Sequence, residues 1–242
     1  TALGLILCLV MLLCAGVALT AKRDDCTLAY SVLCTVNGEY ARAQQLLLAH
    51  RFHTYEGGEG YLTQHHAWLH FLMGRRLLAQ GEPAAAERIL LDGLVFPENY
   101  GEEKNYFVND APIYSALAMC MEREGKKGEA ERYWKLATST KGAPTVHSYF
   151  QCIALRALGR AQEAQDLARA MVRLGEECIA NAAVNDYYGV GAPAYPPFGY
   201  DIVKAHTLAG SLLVAFGSLA LGEETRAHAC AEEARKIDCA DF

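Results

Sequence analysis

Residues 51–60, RFHTYEGGEG, gather the side chains in this chain most able to do chemistry. Glu56 and Glu59 stand three apart, close enough for two carboxyls to share acid–base work if the loop folds back. The three glycines would let the backbone approach a ligand. Arg51 and His53 are suited to orient an anionic or hydroxyl-rich partner, with Tyr55 between them and the acids. The competing expectation is a connector whose glycines supply unusual dihedrals and whose glutamates cap the next helix at its positive end. Spacing alone favours the connector, because paired acids in loops are common and catalytic geometry is demanding.

The stretch HHAWLH raises metal binding, since His66 and His70 are four apart on one helical face. No glutamate lies between them in the zinc-protease arrangement and no third ligand is near, so packing histidines are expected instead of a metal site. GVGAPA has the wrong glycine spacing for a dinucleotide fingerprint, and no nucleophile elbow or phosphate loop occurs. No cofactor is expected, and an enzyme reading rests only on loop acids and histidines.

Two further loops carry candidate binding residues. VFPENYGEEKNYFVND supplies Asn99, Asn109 and Asp110, with Tyr114 just beyond; NDYYGVGAPAYPPFGYD supplies Tyr187 and Tyr188, with His206 just beyond. Aromatic and amide-bearing loops suit peptides or sugars, which offer flat apolar faces and hydroxyls. The alternative is that the rings anchor long loops onto the scaffold.

The scaffold is legible in a register of glycines. Gly38–Ala43, Gly81–Ala86, Gly125–Ala130, Gly159–Ala164 and Gly222–Ala227 each place an alanine five residues after a glycine. Each glycine ends a stretch of helical apolar periodicity, where a left-handed residue stops a helix. Seven residues before each glycine stand Ser31, Gly74, Ala118, Cys152 and Ala215, all small, as close helix packing past a turn demands. This is the pattern of the tetratricopeptide repeat, a helix–turn–helix of about 34 residues. It predicts an all-α, tetratricopeptide-like α-solenoid of about five helix pairs over 25–49, 62–94, 111–138, 144–181 and 201–237. The insertions at 51–60, 95–110 and 182–200 are expected on one face, often the binding face.

A net charge of −6 with 21% charged residues, and no lysine or arginine block, points away from nucleic acid. Nine scattered cysteines without a C-x-x-C pair favour reduced thiols in the cytoplasm. Residues 2–20 lack any charge and are followed by KRDD, so residues 1–21 form either a truncated solenoid helix or a membrane anchor. Thr1 in place of methionine fits a piece of a longer protein. Residues 22–242 make the helical repeat domain.

From KRDD to about residue 237 the chain resembles the tetratricopeptide region of large bacterial proteins that carry an uncharacterised, carbohydrate-associated domain upstream. The resemblance rests on R-D-D at Arg23, Asp24 and Asp25, on the E-G-G-E-G loop, on P-E-N-L-G-E, here Pro97 to Glu102 with Tyr100 for the leucine, and on N-D before Tyr114. It departs at Thr54 and Tyr55, where that family has proline and tryptophan, and weakens through 182–200. It implies a multi-domain protein with this chain as the helical half, and carries over no catalytic residue. The first expectation is a binding or scaffolding module holding its upstream domain, a partner protein or a peptide. The second is the helical component of a carbohydrate-active enzyme, with the E-G-G-E-G loop completing a shared site.

Overall fold

A computed structural model describes residues 23–54, 58–104, 108–183 and 201–238. Among them the chain is all-α, with ten α-helices and one short 3₁₀ turn at Glu98–Tyr100. In chain order the helices are α1 (Asp24–Val36), α2 (Tyr40–Ala49), α3 (Tyr61–Ala79), α4 (Pro83–Asp92) and α5 (Ala111–Arg123). There follow α6 (Lys127–Ala137), α7 (Ser148–Ala157), α8 (Ala161–Ala180), α9 (Ile202–Leu221) and α10 (Glu224–Ile237). Four expected pairs begin within a residue of their predicted position. The fourth begins at Ser148 instead of 144, because Pro144 and the Thr145–Ser148 turn precede it.

All five pairs are joined by the same turn. Gly38, Gly81, Gly125, Gly159 and Gly222 sit at φ between 75° and 82°. Each glycine donates its N–H to the carbonyl three residues back, and the next residue donates to the carbonyl five back. This is the Schellman closure, which satisfies helix carbonyls that would otherwise lack donors. The five small residues seven before each glycine are buried, and so are the five alanines after it. Ser31 Oγ donates to Ala43 O at 3.1 Å. A Cβ on Gly74 would stand 2.5 Å from Leu90 Cδ2.

The odd-numbered helices lie side by side, α1 on α3, α3 on α5, α5 on α7 and α7 on α9. Each even-numbered helix packs on its own partner, and α2, α4, α6 and α8 pack also on the odd helix that follows. The apolar interior follows this order as clusters along the chain, from Cys34, Leu47 and Leu69 through Phe71, Leu117 and Trp134 to Ala168 and Met171. α9 alone among the described helices is long and apolar enough to cross a membrane. It is also packed between α8 and α10, as a core helix would be. The described cysteines form no bridges, and Cys34, Cys120 and Cys152 are buried. Burial pushes the Cys120 and Cys152 thiols up to about 11, so they serve as small apolar side chains.

Candidate functional site

Two of the insertions meet at the start of α1. Phe52 N–H donates to Asn99 O at 2.8 Å, joining the loop after α2 to the P-E-N turn. Asn99 Nδ2 donates to Leu47 O at 2.9 Å and to His50 O at 2.6 Å, supplying two of the carbonyls left over at the end of α2. Gly101 turns the chain at φ 69°, and a Cβ there would stand 3.0 Å from Phe52 O. The Asn99→Ala variant should therefore lose about 2–3 kcal/mol of stability, because two partly buried carbonyls lose their donor. A urea midpoint unchanged from the wild type would count against this clasp.

Asp24, in the first turn of α1, draws the loop inward. His50 Nε2–H donates to Oδ1 at 2.6 Å, and His53 N–H donates to Oδ2 at 2.8 Å. His53 Nδ1 also stands 3.3 Å from Oδ2, so the carboxylate orients an exposed ring. Partial burial pushes the Asp24 carboxyl up, but the hydrogen bonds from His50 and His53 outweigh it and the net shift is downward. Beside it, the Arg23 guanidinium lowers the carboxyl of Asp25.

Asp24, Asp25, Phe52, His53, Tyr100 and Glu102 line a small open pocket of about 30 Å³ here. That is room for little more than a water or the tip of one side chain. Glu102 Oε2 accepts from Gly60 N–H at 3.3 Å, at the residue that opens α3. Its Oε1 is buried with no hydrogen-bond partner among the described residues. A carboxylate from the second insertion thus meets the positive end of α3. Neither Asp24 nor Glu102 stood among the residues that sequence reasoning selected as candidates. The only signal for them was membership of the R-D-D and P-E-N-L-G-E motifs.

The structure scatters the other candidates. Arg51 is exposed at the loop's start, and Tyr55, Glu56, Tyr187 and Tyr188 lie outside the described residues. Glu59 stands one residue before the glycine that opens α3. Asn109 Oδ1 accepts from Ala111 N–H at 3.0 Å and from the Thr140 hydroxyl at 3.3 Å, fastening the start of α5. Asp110 is buried and ion-paired with Lys104. Tyr114 stacks on Tyr133 with ring centroids 6.4 Å apart. His206 is far along the chain on α9, its Nδ1 donating to Ala182 O at 3.1 Å. Tyr100, one of the rings in the second insertion, is buried as an anchor.

The three histidines of HHAWLH are buried and held as packing groups with defined tautomers. Asp92 O can only accept, so His66 carries its proton on Nε2 (3.2 Å) and accepts from the Tyr100 hydroxyl at Nδ1 (2.8 Å). His70 Nδ1–H donates to His66 O at 2.8 Å, which leaves its Nε2 to accept from Gln44 at 3.1 Å. Ser31 spends its own hydrogen on Ala43 O, so its oxygen accepts from His65 Nε2–H at 2.9 Å. Desolvation lowers His65 to about 4 and His66 to about 3, with the neighbouring His70 adding to both. No group of three metal-ligating side chains occurs among the described residues.

A larger open recess of about 450 Å³ lies between α7, α8 and the α9–α10 turn, with Arg156, Arg169, Arg173 and Arg226 on its walls. Arg169 pairs with Asp166, Arg226 with Glu176 and Glu223, and Arg156 donates to Ala220 O. Its charge is thus largely spent within the chain. No family model matches this chain, and no solved structure matches it.

Proposed function

We propose that this chain is a binding and scaffolding module, a tetratricopeptide-like α-solenoid that holds an upstream domain or a partner protein through the loop clasp at the start of α1. The observation that carries the proposal is the convergence of Asp24, Asp25, His53 and Glu102 on one open pocket at the start of α1. Five identical turns, paired small residues and a single layer of odd helices support the solenoid reading. The scattered cysteines without a C-x-x-C pair and the lack of a lysine or arginine block in the sequence support a cytoplasmic setting without nucleic acid.

Three carboxylates on a narrow mouth favour a partner that offers a cationic or hydrogen-bond-donating tip, such as a lysine-bearing peptide. The test is fluorescence anisotropy with cationic, neutral and acidic peptides of about ten residues at low and physiological salt. Cationic peptides should bind best, and a variant carrying Asp25→Asn and Glu102→Gln should weaken them about tenfold or more. Binding that ignores peptide charge, or variants that bind like the wild type, would overturn this reading.

One observation favours the second reading, of an enzyme component that acts on carbohydrate with a further domain. An exposed imidazole aligned by a carboxylate is the arrangement of a general base, and His53 on Asp24 has it. Replacing Glu56 and Glu59 with glutamine in the full-length protein separates the two readings. Unchanged sugar turnover with an unchanged fold would end the catalytic reading, whereas lost stability alone would mark the loop as a connector.

A further inference from the structure

We infer that the arginine-walled recess beside α8 is a docking site for an acidic peptide segment of a partner protein. The recess is distinct from the clasp at α1 and its role does not depend on the clasp.

The recess exists because α8 and α10 both pack on α9 and leave a gap beside the α9–α10 turn. Gln165, Arg169, Val172, Arg173 and Glu176 recur at three- and four-residue steps, so they form one face of α8 along this gap. Arg226, in the first turn of α10, lines the recess with them, and Arg156 joins from the end of α7. At about 450 Å³ the space is in the range of clefts that take ligands, and many times larger than the pocket at the clasp.

Pairing within the chain spends most of the charge here, and what it leaves is placed on the walls. Four guanidiniums stand there against two carboxylates, Glu176 and Glu223, in a chain whose net charge is −6. The guanidiniums least committed are Arg156 and Arg173. Arg156 donates to Ala220 O, a neutral carbonyl, and so keeps its charge. Arg173 Nε stands 3.9 Å from Glu177 Oε1, too far for a hydrogen bond, and its side chain is 72% exposed. The pairs that do close, Arg169 with Asp166 and Arg226 with Glu176, join half-exposed side chains. Such pairs contribute about 1 kcal/mol or less, so an arriving carboxylate can share these guanidiniums at little cost. Each planar fork offers it two parallel N–H donors.

The mixed walls select the kind of anion. Glu176 and Glu223 repel a polyanion that carries a charge on every unit, as nucleic acid does. A peptide carries its acids at intervals. Its backbone N–H groups can donate to the two glutamates, its carbonyls can accept from the Gln165 amide, and its side-chain stems can lie on Val172 and Leu221.

The experiment modifies the arginines of the full chain with phenylglyoxal and reads each site by peptide mass spectrometry. The probe is a peptide of about ten residues, glycine and serine interspersed with glutamates. At saturation it should slow modification of Arg169 and Arg173 about fivefold or more, leave the exposed Arg132 of α6 unchanged, and lose its effect at high salt. In anisotropy it should bind less tightly than lysine peptides bind the clasp, because the recess is open and most of its charge is paired. Arg169→Glu with Arg173→Glu should weaken it about tenfold or more. Arg132→Glu with Lys135→Glu makes the same change of net charge on α6 and should leave binding within about twofold. If charge reversal prevents folding, Arg169→Gln with Arg173→Gln, set against Arg132→Gln with Lys135→Gln, carries the same comparison. No protection of Arg169 and Arg173, or equal losses in the two double variants, overturns the inference. Single-stranded DNA binding more tightly than the glutamate peptide also overturns it, assigning the recess to a polyanion. So does displacement of the peptide by equimolar inorganic phosphate, which would leave a site for a single small anion.

Discussion

Lowering the pH from 7 to 5 should destabilise this protein by about 5–6 kcal/mol, enough to unfold a domain of ordinary stability. The cause is a set of buried and half-buried histidines held in the neutral form. Burial lowers His65 to about 4, His66 to about 3 and His147, packed 5.4 Å from the Trp68 ring, to about 4. Their depressed pKa values lie below the ordinary 6.5 of an unfolded chain. As the pH falls, the unfolded chain takes up protons first, so the stabilisation is full above about 6.5 and is lost progressively toward 4. Each of the three contributes about 2 kcal/mol of this loss by pH 5. Asp24, whose carboxyl is held low by His50 and His53, adds its own loss only in the more acidic carboxylate range. Urea midpoints at pH 7, 6 and 5 give the test, and a flat profile would remove the neutral buried histidines. The tautomers assigned to His66 and His70 can be checked independently by nitrogen NMR.

The second large effect belongs to the contact between α8 and α9. Gly175 and Gly210 face each other so closely that a Cβ on either would stand 2.6 Å from the other's carbonyl oxygen. At Gly175 it would also meet Val214 N at 2.9 Å. These are backbone atoms and cannot swing aside, so the helices themselves must separate. Gly175→Ala and Gly210→Ala should each cost about 2–4 kcal/mol and lower the melting temperature by about 5–10 °C. Gly128→Ala is the contrast, since a Cβ there meets nothing within 4 Å and Gly128 lies inside α6. That variant should gain about 0.5–1 kcal/mol from helix propensity alone. Equal effects at Gly128 and Gly175 would mean that helix propensity, and not close approach, governs both.

The clasp shows how differently the two halves of the problem were written into the chain. Its parts were visible as motifs: R-D-D, the glycine-rich loop and P-E-N. Their roles were not, because Asp24 and His53 are 29 residues apart and Asn99 reaches Leu47 across 52. HHAWLH shows the same limit on a helix. Four-residue spacing puts His66 and His70 on one face, but only the arrival of Tyr100, Gln44 and the end of α4 decides that the face is buried.

What the sequence determined by itself was the all-α composition and the positions of the five turns. Each turn is a local event, in which a glycine adopts positive φ and closes hydrogen bonds to carbonyls no more than five residues back. The small residues flanking each turn are local in the same sense, because a two-helix hairpin brings them together without outside help. Only the tertiary structure decided that Asp24 draws in two histidines, that Glu102 meets the start of α3, and that Gly175 meets Gly210. The first two join the far ends and flanking loops of a hairpin and the third joins two hairpins, and side-chain spacing along one segment carries no record of either.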